Sequence, residues 1–138
     1  MKFNRKASAN WKGTGMEGKG SLTTQSGTLS ATQYSFKTRF EEGVGTNPEE
    51  LIGAAHAGCF TMQLSFLLSE AGFVPTNLDT EARVHFEDGA IPKIELKLKG
   101  EVPGISAEEF ETFAKKAKEI CPVSKLLKAE IKLSIELA

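Results

Sequence analysis

The chain has 138 residues, 40% of them hydrophobic and 25% charged, a globular composition that excludes a disordered tail or a low-complexity scaffold. Seventeen basic residues against 18 acidic ones leave a formal charge of −1, so the basic excess of a phosphate-backbone binder is missing and nucleic acid is disfavoured as a partner. Two cysteines are too few for the disulfide framework of a small secreted domain.

The N-terminal run MKFNRKASANWKG is charged and strand-like, with no apolar stretch before a small-residue cleavage site, so no signal peptide is expected. Alternation at Ala7, Ala9 and Trp11 predicts a first strand, followed by a glycine-dense turn over 13–20. Residues 20–24 and 34–40 are two further β-prone runs, with a hairpin connection around Gly27. Arg39 would then end the third strand, just before the breaker Glu41-Glu42-Gly43-Val44-Gly45.

A helix start follows. Asn47 is a suitable N-cap, Pro48 at the first helical position loses no needed N–H, and Glu50 stands where a capping box would close. The helix is expected to run from Leu51 to about Ala71, with Gly72 as its stop. It is apolar nearly all round, and such a helix must be covered on every side. Six half-buried strands and two amphipathic helices cover it poorly, which favours a second copy of the chain, a homodimer. His56, Thr61, Gln63 and Ser65 within this segment argue against a membrane span. The expected location is cytoplasmic, where thiols stay reduced.

Residues 78–87 alternate, Asp88-Gly89 signals a hairpin, and Ile94, Leu96 and Leu98 continue on its second strand. Ser106 and Glu109 form a second capping box, opening a helix with Phe110, Phe113, Ala117 and Ile120 on one face. Cys121-Pro122 interrupts it, a short helix over 123–128 follows, and Ile131, Leu133, Ile135 and Leu137 alternate as a last strand. The order β-β-β-α-β-β-α-α-β, without repeat or linker, predicts a single α+β domain spanning 1–138.

Cys59 sits midway along the apolar helix among Ala55, Ala57 and Gly58, with His56 one turn earlier. Glycine inside a helix costs about 1 kcal/mol relative to alanine, so Gly58 points to a close approach of something to the backbone. Cys59 can be a small core hydrophobe or a working thiol, and the residues alone leave both open. Cys121 lies at a helix break whose dipole lowers a thiol pKa, or is merely a cap-region cysteine. Arg39 is either a solvated strand end or the cation that holds a thiolate, and Glu49 either faces solvent or orients that arginine. His56, Cys59, His85 and Cys121 make a poor zinc set, because no C-x₂-C or H-x₃-H pair is present. A peroxidase, a redox sensor and a non-catalytic binder of apolar ligands all remain compatible with these residues.

The run GTNPEELIGAAHAGCFTMQLS around Cys59 resembles the signature of the OsmC/Ohr family, thiol-dependent peroxidases that reduce organic hydroperoxides. KAKEICPVSKLLKAEI resembles its second-cysteine region, and NWKGTGMEGKGSLTTQSGTLS, YSFKTRFEEGVGTNPEE, EAGFVPTNLDT and VPGIS extend the likeness along the whole chain. The arginine after YSFKT is similar to that of the OsmC subgroup. The resemblance implies an intertwined α+β homodimer, with antiparallel sheets around long buried central helices. It implies a peroxidatic Cys59, a resolving Cys121 that forms a disulfide with it, Arg39 at the thiolate and Glu49 holding Arg39. It implies no metal and no organic cofactor. Electrons would come from a dithiol, in the Ohr subgroup from lipoylated protein. A pocket of residues such as Phe60, Met62 and Leu64 would favour organic over hydrogen peroxide.

Overall fold

Three short strands open the chain: β1 (Ala7–Lys12), β2 (Lys19–Thr24) and β3 (Thr32–Tyr34), paired antiparallel in that order. They belong to the first of two units, Met1–Leu51 and Ile52–Ala138, into which the computed structural model divides residues 1–138. The rings of Trp11 and Tyr34 lie 5.3 Å apart on this small sheet.

The strand expected over 34–40 ends at Tyr34, and the chain turns into a one-turn helix, α1 (Phe36–Phe40). Ser35 decides this. Its hydroxyl accepts from the Thr38 N–H at 3.3 Å, and the Thr38 hydroxyl oxygen accepts from the Ser35 N–H at 2.8 Å. This reciprocal capping box starts a helix where aromatic and β-branched residues read as strand. Arg39 therefore rides on a helix, not on a strand end.

Helix α2 (Pro48–Glu70) begins as predicted, with Asn47 Oδ1 accepting from the Glu50 N–H at 2.8 Å. The return half of the box is not made. The Glu50 carboxylate instead accepts from the Thr46 hydroxyl at 2.5 Å, and Asn47 Nδ2 donates to the Thr38 carbonyl at 3.1 Å. Gly72, at φ 89, takes the left-handed conformation just beyond the helix end.

Only one stripe of α2 is buried: Gly53, His56, Phe60, Leu64 and Leu68, at the spacing of a single helix face. Met62 and Phe66 are 64% and 59% exposed. The all-round covering anticipated from the sequence is not supplied within one chain. By length and composition α2 is also apolar enough to cross a membrane.

The second sheet holds β4 (Asn77–Glu87), β5 (Ala90–Glu101) and β6 (Glu130–Leu137), with β5 in the centre. Asp88 and Gly89, at φ 49 and 77, make the tight antiparallel turn from β4 to β5. A bulge between His85 and Glu87 breaks the alternation expected on β4 and leaves Phe86 44% exposed. The expected antiparallel pairing does not extend to β6, which pairs with β5 in parallel, Ile94 beside Ile131 and Leu98 beside Ile135. Two helices, α3 (Ala107–Ile120) and α4 (Pro122–Leu126), carry the chain back along the sheet, as a parallel neighbour requires. Pro92 is tolerated in central β5 because β6 joins only from Lys93 onward.

The Ser106–Glu109 capping box forms as predicted and opens α3. Phe60, Leu64 and Leu68 of α2, Ile94, Leu96 and Leu98 of β5, and Phe110, Ala114 and Ala117 of α3 make one fully buried cluster. Each large side chain there contributes about 1.5–3 kcal/mol of transfer free energy. Gly100 lets α3 sit down on β5: a Cβ there would stand 2.2 Å from the Phe110 ring.

Candidate active site

Cys59 lies at the edge of the buried stripe of α2, half-buried, one residue before Phe60. Cys121 is fully buried and belongs to two helices at once, as C-cap of α3 and N-cap of α4. It stops α3 because Pro122, which cannot continue that helix, is well placed at the first position of the next. This junction delivers its thiol to α2. Cys121 Sγ donates to Cys59 Sγ at 3.0 Å, across 62 residues of sequence. Both are free thiols.

Burial pushes the Cys59 thiol pKa up, and the hydrogen-bonded Cys121 adds to that. The opposing influence is a hydrogen bond from the Val123 backbone N–H in α4. The surroundings of Cys59 within 52–138 therefore keep it a thiol. A nucleophilic thiolate needs a further positive group.

One turn before Cys59, His56 is fully buried. Its Nε2 is 2.8 Å from the hydroxyl of Ser124 in α4, while its Nδ1 is buried with no hydrogen-bond partner. Burial holds its pKa below the ordinary 6.5, which keeps the imidazole neutral. Ser124 is not among the residues that sequence patterns single out. The signal for it is weak, a hydroxyl three residues after Cys121, and only the fold carries it to a histidine 68 positions away.

In residues 1–51 the structure makes a second pair. Arg39 Nε and Nη2 both reach Glu49 Oε1, at 3.0 and 2.9 Å. Glu49 is well covered, and its Oε2 is buried without a hydrogen-bond partner. The Arg39 guanidinium also stands 5.1 Å from the Phe40 ring centre. A carboxylate on the first turn of α2 thus fixes a cation presented by α1. The four residues predicted to carry chemistry are assembled as two pairs, Cys59 with Cys121 and Arg39 with Glu49.

Other expectations change. Phe60 and Leu64 are fully buried in the core and cannot line an open pocket, whereas Met62 is exposed. Gly58 has nothing within 4 Å of the place a Cβ would occupy, so no part of this chain makes the close approach its presence implied. Gly53 is the α2 glycine that meets a neighbour, with Val84 at 3.4 Å. His85 is drawn to Glu95 across β4 and β5, at 2.5 Å. No group of three or more His, Cys, Asp or Glu side chains converges as a metal site.

The family model described as OsmC-like protein matches residues 41–136. The chain is 52% identical over an alignment of 141 residues to the Peroxiredoxin OsmC of Escherichia coli (strain K12), with 99% of each covered. It is 35% identical over 98 residues to the Organic hydroperoxide resistance protein OhrA of Bacillus subtilis (strain 168), with 67% of each covered. The crystal structure of the Organic Hydroperoxide Resistance Protein OhrB of Bacillus subtilis matches with a TM-score of 0.71 at 25% identity, over 99% of this chain and 98% of that one. An OsmC-like protein from Mycoplasma pneumoniae, only 12% identical, shares the fold at a TM-score of 0.80 over 100% and 99%. The chain belongs to the OsmC-like family and has its α+β fold.

Proposed function

We propose that this protein is a thiol-dependent peroxidase that reduces organic hydroperoxides, and hydrogen peroxide less efficiently. The peroxidase class rests on its kinship with proteins named peroxiredoxin and organic hydroperoxide resistance protein. The observation that carries the chemistry is the 3.0 Å contact between Cys59 and Cys121.

Of the two thiols, Cys59 is the one partly open to solvent, so it is the peroxidatic one. Its thiolate attacks the distal peroxide oxygen, the O–O bond breaks, and the alkoxide leaves as alcohol after taking a proton. Cys59 becomes a sulfenic acid. The Cys121 thiol then attacks the Cys59 sulfur, an S–S bond forms, the S–O bond breaks and water leaves with the thiol proton. A dithiol, small or borne on lipoylated protein, reduces the disulfide by exchange and is itself oxidised to a disulfide.

Arg39 is the residue we assign to the missing positive charge. Its double contact with Glu49 supports that role, because a thiolate is best stabilised by a cation that needs no reorganisation. The exposed apolar residues of α2, Met62 and Phe66, support a homodimer in which a second copy covers them. A reducing cytoplasm would keep both thiols ready. The test is consumption of cumene hydroperoxide with excess dithiothreitol. Many equivalents per chain are expected; a single equivalent would mean a sensor, and none a binding protein.

A further inference from the structure

We infer that His56 and Ser124 form a latch that positions Cys121 for the resolving step. This rests on the peroxidase reading above. His56 and Cys59 are one turn apart on α2, and Cys121 and Ser124 are three residues apart at the start of α4. Two contacts therefore run side by side between the same two elements, His56 to Ser124 at 2.8 Å and Cys59 to Cys121 at 3.0 Å.

The sulfur contact changes at every step of the cycle. Forming the disulfide draws two sulfurs from 3.0 Å to the bonded distance of about 2 Å, and reduction releases them again. The histidine–serine contact has no redox chemistry and can persist through the cycle. It anchors α4 beside α2 while Cys121 advances by about 1 Å, a displacement large enough to govern whether the sulfurs meet.

The unpaired Nδ1 points the same way. A leucine or phenylalanine in this fully buried position would fill the space without leaving a nitrogen unsatisfied. What histidine adds is a directed bond to Ser124. His56 and Ser124 are positioning residues, since neither needs to touch the peroxide.

The two half-reactions separate this role from general support of the fold. In Ser124→Ala, rapid-mixing oxidation of Cys59 by one equivalent of cumene hydroperoxide should stay within about twofold of the unmodified protein. Condensation to the disulfide, followed by loss of a dimedone-reactive sulfenic acid, should slow by about tenfold. Excess peroxide should then yield more Cys59 sulfinic acid by mass spectrometry. Ser124→Thr keeps the hydroxyl and should restore condensation. His56→Gln, which keeps a polar end toward Ser124, should fall between Ser124→Ala and the unmodified protein. Unchanged condensation in Ser124→Ala, equal slowing of both steps, or no rescue by Thr would overturn the latch. Failure of the underlying reading is visible separately, as an unmodified protein that forms no Cys59–Cys121 disulfide.

Discussion

Arg39 gives two of its N–H groups to a single oxygen of Glu49, at 3.0 and 2.9 Å, and leaves the other carboxylate oxygen buried and unbonded. An isolated surface pair in this geometry would contribute little to stability. Its value lies in holding a guanidinium still. Cys59, in contrast, sits where burial and the hydrogen bond from Cys121 favour the neutral thiol.

Removing that cation should therefore shift ionisation before it shifts anything else. Arg39→Ala is expected to lower kcat/KM for cumene hydroperoxide by about 10²-fold. The rate should rise with pH as Cys59 ionises, and the midpoint of that rise should move to higher pH in the variant. Glu49→Gln should do the same to a smaller extent. A thiolate absorbance titration checks both; coincident curves would detach Arg39 from Cys59.

Cys121→Ser should leave the first half of the cycle and stop the second. One equivalent of peroxide should be consumed, with a sulfenic acid on Cys59 that dimedone traps. Mass spectrometry of the adduct reads the result directly. Continued dithiothreitol-driven turnover at the unmodified rate would remove Cys121 from the resolving role.

The buried histidine makes a prediction about acid stability. Folding lowers the His56 pKa from 6.5, so the unfolded chain takes up a proton at a pH where the folded chain does not. The unfolded state then binds more protons, and stability falls as pH drops below 6.5. His56→Gln does not titrate and should show a shallower fall of Tm on the acid side. Parallel curves for the two proteins would show that this histidine is not the group responsible.

Much of this was legible in the sequence, and where it was not the reasons are local. The Ser106–Glu109 box, the Asp88-Gly89 turn and the Asn47 cap are short-range features, and each formed at the predicted place. The strand over 34–40 failed because one serine, Ser35, recruited Thr38 into a cap that aromatic content had concealed. The parallel pairing of β6 depends on where α3 and α4 return the chain, which periodicity does not encode. Among candidate site residues, the settings of Cys59 and Cys121 left a core role and a working role equally open, the resemblance alone implied their roles, and their 3.0 Å contact is a property of the fold. Ser124 was invisible for the same reason.

The packing of α3 on β5 can be tested at one atom. Gly100→Ala would place a methyl group 2.2 Å from the Phe110 ring, and Phe110 is fully buried in the core. Overpacking of this kind costs about 1–3 kcal/mol. A lowered urea midpoint with an unchanged slope is expected. Gly100→Ala combined with Phe110→Leu should recover part of the loss, which a purely backbone effect at Gly100 would not allow.

Everything proposed for this site turns on peroxide being reduced at Cys59 Sγ. The most direct measurement is steady-state consumption of cumene hydroperoxide with dithiothreitol by Cys59→Ser beside the unmodified protein. Sustained turnover by the unmodified protein and no consumption above background by a folded Cys59→Ser variant are expected. Turnover retained in Cys59→Ser would contradict reduction at Cys59 Sγ.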